Sequence, residues 1–354
     1  MTATTIDTPL AQTDTVLPSA REIARKLAVL LAVLAAGALL ITSLPGLEAI
    51  PGHLAGADPA WIVAALVFEI ASTIAFAITF HGVYERRVSR RASASLGMAM
   101  QGMNIVLPAG GTGGLAAGAV IMDRAGVPRA FAASRTVTLF LITSLASFLG
   151  VALAGLGVAT GLLAGDLPLT ASLVPALAAI AIIAAVATLA RPRGSLGPAP
   201  DRRARRALWS ARVYLRDGVA TSIALLRAKD GLVIWGSIGY YAFDVAAMAA
   251  SFKAIGADMP LGVLVLAYTL GHAGAIIPLP GSSEGGLIGM FVIYGTALAP
   301  ATAAVLAYRA VHAGVPSVLG IAGLADLRRQ LRSGAPLREP VSHLRPQQVE
   351  RAYA

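Results

Sequence analysis

Leu107-Pro108-Ala109-Gly110-Gly111-Thr112-Gly113-Gly114-Leu115 aligns without gaps on Leu279-Pro280-Gly281-Ser282-Ser283-Glu284-Gly285-Gly286-Leu287, with Leu, Pro, Gly, Gly and Leu in register. Proline lacks an amide donor and its ring blocks the preceding turn, so neither copy continues a helix. Each copy nevertheless lies inside an apolar region, 96–120 and 261–298. Irregular backbone at membrane depth persists only where protein covers it or water reaches it. Gly/Pro breaks at matching places in two halves of a chain are the best sequence pointer to a transporter-type binding site. The second region, 38 residues long, exceeds one span of about 20 residues, and its centre forbids a single continuous helix. A re-entrant hairpin, or two short half-helices, fits it better.

The rest of the chain has the composition of a membrane protein. Hydrophobic residues make up 56% and charged residues 13% of the 354, and the mean hydropathy is +0.74, values that point to a polytopic helical bundle. There is no cysteine, which excludes disulfides and thiolate metal or redox chemistry. Five His without an HExxH-type cluster give no reason to expect a metal. The net charge of +10 would suggest nucleic acid in a soluble protein, but here the Arg residues sit in loops between apolar runs. Topology and anionic lipid explain that placement, and no nucleic-acid partner is expected. The polar first 20 residues read as a disordered tail rather than a cleaved signal.

Full-span candidates are 27–44, 59–81, 131–162, 171–190, 232–252 and 302–325. Segments 1–26, 82–95, 121–130, 191–229 and 325–354 hold 25 of the 28 Lys and Arg. The other loops hold only Lys253, while Arg135 and Arg309 fall inside spans. This separation arises only if both broken regions return to the side they left. The expected fold is therefore an all-α membrane bundle of about six spans plus two re-entrant hairpins, with both termini cytoplasmic. The hairpins enter from opposite faces, so span, span, hairpin, span occurs twice with inverted topology. Glu69 and Asp244 are 175 residues apart and the loop copies 172, a difference of about one helical turn. The domain layout is a tail at 1–26, a transmembrane domain at 27–325 with halves 27–162 and 171–325, and a basic tail at 326–354. The connector 191–229 interleaves Arg202, Arg203, Arg205, Arg206, Arg212 and Arg216 with apolar residues, as in an amphipathic helix lying on the inner leaflet.

The loops also nominate a site. Pro108 ends one half-helix and Thr112 can cap the next, with Gly110, Gly111 and Gly113 around it. After Pro280 and Gly281, Ser282 or Ser283 can cap and place Glu284 in a first turn, where the helix dipole favours a carboxylate. Free amides at such a half-helix start suit a phosphate or carboxylate; the alternative is that the glycines merely allow close packing. Arg309 suits either bidentate phosphate recognition or an ion pair with Glu284 or Asp244. Arg135 is close enough to its span end to snorkel. Glu69 and Asp244 are charge partners for these arginines or proton relays, and Asn104 and Gln101 can hydrogen-bond a headgroup or broken backbone. His272 and His312 read as packed residues. No nucleophile–base constellation and no GxxxxGK[ST] phosphate loop occur, so neither catalysis nor ATP coupling nor any cofactor is expected.

Asn104 to Gly114, Pro278 to Leu287, and Ala307-Tyr308-Arg309-Ala310-Val311-His312 with Pro316 and Gly320 resemble the signatures of the lysylphosphatidylglycerol synthase transmembrane, or flippase-like, domain family. The resemblance covers about residues 25–330. It implies a bacterial inner-membrane bundle that moves an anionic phospholipid or other lipid-linked headgroup between leaflets. In the family's bifunctional members a separate cytoplasmic domain makes the aminoacyl lipid, and this chain has no room for one. A lipid-modifying transferase, or a subunit serving a lipid-modifying enzyme partner, is the alternative. The second loop departs from the family pattern, since Gly281-Ser282-Ser283 reaches Glu284 without an intervening Gly-Gly-hydrophobic-Gly stretch.

Overall fold

A computed structural model of the chain describes residues 48–106, 127–188, 203–273 and 281–333, with single helical positions at Arg21, Arg25, Ala28, Ala32, Gly114, Gly118 and Met122. These residues are almost all helical and form no strand. In order the helices are α1 (Ile50–Ala55), α2 (Pro59–Val83), α3 (Arg90–Val106), α4 (Arg129–Ala159), α5 (Leu169–Thr188), α6 (Arg203–Arg227), α7 (Gly231–Ala254), α8 (Leu261–Gly271), α9 (Ser282–Ile293) and α10 (Leu298–Arg332). Among the described residues, α2, α4, α5, α7 and α10 are long and apolar enough to cross a membrane. The expected span 27–44 lies outside them. At about 1.5 Å per residue, α2 reaches about 37 Å, whereas α8 and α9 reach only about 16–18 Å, half of a bilayer core.

Local sequence sets the helix starts. Asp58 accepts the Ala60 amide at 2.8 Å and is followed by Pro59; the Asp side chain satisfies a first-turn donor and proline supplies none. Asp230 caps α7 in the same way, accepting from Leu232 and Val233 at 3.0 and 3.3 Å. These two starts are 172 residues apart, those of α3 and α8 171, and those of α4 and α10 169. The outward face of α2 carries Val63, Val67, Ile70, Ile74 and Ile78, all exposed. A helix with an apolar exposed face is solvated by lipid rather than water.

Small residues let the long helices approach. The α2 and α7 axes run antiparallel, with Ser72 donating to the Tyr240 carbonyl at 3.0 Å and Gly236 against Thr79. Helix α3 lies between α2 and α10. A Cβ placed on Gly102 would meet Gly320 Cα at 2.9 Å, so only glycine permits this backbone contact.

The contacts also show where the broken regions begin and end. Residues 114, 118 and 122 track back along α3: the Gly114 amide donates to Asn104 Oδ1 at 2.6 Å, Gly118 lies against Met100, and Met122 is buried in the cluster that holds Leu96. For α8 and α9, Gly262 sits beside Val158 and Leu163, and Tyr294 donates to the Ala171 carbonyl at 2.8 Å. Both outer ends of that pair therefore lie beside the α4–α5 turn, the end of the bundle opposite Arg86, Asp230 and Asp326.

Two expectations need correction. Helix α3 starts at Arg90, six residues before the apolar region, because Arg91 pairs with Asp326 of α10 and His81 bonds Ser93 at 3.0 Å, holding those turns against the bundle. The connector helix α6, expected to lie on the inner leaflet, packs on protein along its second half. Leu208 is exposed, but farther along Val219 and Ser222 are buried, Gly218 abuts Val137, and Asp217 accepts from Ser134 of α4.

Candidate functional site

Two polar clusters lie among the apolar helices. In the first, Glu284 stands in the first turn of α9 and accepts from Arg309 Nε of α10 at 2.6 Å. Side-chain exposures of 14% for Glu284 and 21% for Arg309 leave the pair at the margin of the interior rather than sealed within it. The expectation that Ser282 or Ser283 caps this helix is incorrect. Gly281 is the N-cap, with φ of 83° and no side-chain cap bond. That left-handed turn suits glycine and brings both serines into the helix, which places Glu284 one residue deeper than a Ser282 cap would and two deeper than a Ser283 cap.

The second cluster joins α2, α7, α8 and α10. His312 Nδ1 lies 3.1 Å from Glu69 Oε1 and 3.4 Å from Asp244 Oδ1. Asp244 also accepts from the Tyr308 hydroxyl at 2.8 Å and from Tyr268. The two tyrosine hydroxyls are 3.1 Å apart, and Tyr308 reaches His312 Nδ1 at 3.2 Å. Ring contacts support the geometry: Tyr308 stacks on His312 with centroids 5.1 Å apart, and Tyr268 meets His272 at a 56° tilt with centroids 4.4 Å apart. Two hydroxyl donors and an imidazole thus converge on one acid. One side-chain oxygen each of Glu69 and Asp244 and a ring nitrogen of His312 lie within 4.8 Å of one another.

The remaining sequence candidates are dispersed. Arg135 sits at the Arg-rich end, paired with Glu85 and stacked at 4.8 Å over Phe131, far along the bundle from Arg309. Asn104 holds the Gly114 amide and donates to Gln101 Oε1 at 3.3 Å. Pro108, Gly110, Gly111, Thr112, Gly113 and Pro280 lie outside the described residues. His312, a weak candidate in the sequence that reads there as a packed residue, belongs to this cluster together with Tyr268 and Tyr308, neither of which the sequence singles out as a site residue. A usable signal was present: Tyr-x-x-x-His occurs at 268–272 and again at 308–312, and this spacing puts both rings on one helix face.

Comparison with known proteins bears on the whole bundle. Residues 27–320 match the family described as Lysylphosphatidylglycerol synthase TM region. A UPF0104 membrane protein of Methanothermobacter thermautotrophicus is 31% identical over 122 residues. That stretch covers 33% of this chain and 34% of the relative, so the chain matches about a third of the relative's length.

Proposed function

The chain belongs to the lysylphosphatidylglycerol synthase TM region family, and from that premise we propose that it moves a phospholipid or lipid-linked headgroup between the leaflets of the plasma membrane. The observation that carries this reading is the Arg309–Glu284 pair, seated where the α8–α9 pair meets the long helix α10. A guanidinium at this depth can exchange its carboxylate partner for a lipid phosphate, because both offer paired oxygens to the same planar donor. The acyl chains stay in the bilayer while the headgroup crosses. We read α3 with residues 114, 118 and 122, and α8 with α9, as re-entrant hairpins from opposite faces. On that reading α2–α4 and α7–α10 are inverted repeats, which supports alternating access to a shared central site. The Arg-rich end, with Arg86, Arg91 and Arg329, is the cytoplasmic one in this orientation.

Purified protein reconstituted in liposomes should accelerate leaflet exchange of a fluorescent phosphatidylglycerol, and Arg309→Ala should reduce the rate to that of empty vesicles. Wild-type rates equal to empty vesicles across anionic, zwitterionic and aminoacylated lipids would overturn the reading.

A further inference from the structure

The second cluster buries two carboxyl groups against a single imidazole. With His312 protonated and Glu69 and Asp244 ionised, one negative charge is left over, and Arg309 is already held by Glu284. An uncompensated charge inside a membrane bundle is costly and is rarely kept without a use. The two acids also differ. Asp244 has Tyr268, Tyr308 and His312 around it. Glu69 is 1% exposed, and among the described residues its Oε2 has no hydrogen-bond partner; Thr73 Oγ1, one turn farther along α2, has none either. One carboxyl oxygen of Glu69 lies within 4.8 Å of one of Asp244. Two carboxyls hold such an approach stably when one of them carries a proton.

The geometry points to Glu69 as a reversible proton-binding site whose loading and release drive the lipid movement, an inference that rests on the transport reading above. On loading, a proton from one aqueous side converts the Glu69 carboxylate to the neutral acid, and its O–H turns to Asp244. His312 keeps its own proton and its pair with Asp244. On release to the other side, the Glu69 carboxylate again grips His312. Groups facing the two acids are Tyr240 of α7, Tyr308, Arg309 and His312 of α10, and Tyr268 and His272 of α8. Glu284 of α9 lies behind Arg309, and Arg135 of α4 is committed to Glu85. The mechanical link is Pro316, which lies inside α10 four residues after His312. It removes the amide that would bond the His312 carbonyl, so α10 is weakest where the cluster grips it. Loosening the Glu69–His312 contact frees α10 to pivot against α2.

Proton binding can be read without any transport. Infrared difference spectra of the full chain in phosphatidylglycerol vesicles, recorded against pH, should show a protonated-carboxyl C=O band that Glu69→Gln loses and Glu284→Gln keeps. No titrating carboxyl band in the wild type, or a band unchanged in Glu69→Gln, overturns the proposal. Glu69→Asp, which should shift the band, serves if Glu69→Gln does not fold. Stoichiometric Zn²⁺ or Mn²⁺ retained by the wild type and lost in Glu69→Gln also overturns it, since a metal ion would then supply the missing charge. With fluorescent phosphatidylglycerol in the same vesicles, an imposed pH gradient should raise the exchange rate several-fold in the wild type and leave Glu69→Gln unchanged. Exchange that ignores the gradient overturns the coupling and spares lipid transport; no exchange under any gradient overturns both.

Discussion

At His312 a single ring nitrogen faces two carboxylates at 3.1 and 3.4 Å. Removing it leaves Glu69 without its partner and Asp244 with two tyrosine donors but no imidazole, whereas removing the Tyr308 hydroxyl takes one donor from an acid that retains others. His312→Ala should therefore cost about 3–5 kcal/mol of stability, the range for breaking a buried ion pair from one side. Tyr308→Phe should cost about 1.5–3 kcal/mol, the range for a hydrogen bond to a charged group. Unfolding of both variants in detergent, followed by circular dichroism, checks the ranking, and equal small losses would contradict it. Glu69, Asp244, Glu284 and Arg309 were legible as site candidates because an ionisable side chain in an apolar run is conspicuous. His312 was not, since its neutral form is unremarkable among small residues and its partners come from helices far away in sequence.

Helix contacts depend on residues that have almost no side chain. Gly102 of α3 meets the backbone of Pro316 and Gly320 in α10, whereas Gly289 of α9 has nothing within 4 Å of an added Cβ. Gly102→Ala should lower stability by about 1–3 kcal/mol through overpacking, while Gly289→Ala should raise it by about 0.5–1 kcal/mol through helix propensity. Opposite shifts in unfolding temperature would bear this out; shifts of the same sign would place the contact elsewhere. The long helices were visible as apolar runs, and their ends shifted by only a few residues once Asp58 and Asp230 appeared as caps. The start of α3 was hidden because Arg90 and Arg91 look like loop residues until Asp326 is brought beside them.

Across the whole bundle, the chain's lack of cysteine makes its orientation directly measurable. Asp166→Cys and Asp258→Cys lie at the end where α8 and α9 begin and finish, and should react with a membrane-impermeant maleimide in intact cells. Ala228→Cys and Ser333→Cys, at the Arg-rich end, should react only after permeabilisation. Labelling of all four from one side would refute the two-ended topology. The class and the five described spans could be read from the chain alone. Hydropathy, proline and charge placement act locally or through the bilayer, which imposes the same rules on every helix. Pairing within the interior could not be read this way. Arg309 had Glu284 and Asp244 as equally plausible partners. Folding seats Arg309 beside Glu284 and gives Asp244 to Tyr268, Tyr308 and His312, because helix rotation and crossing, set by close glycine contacts between distant segments, fix which buried charges meet.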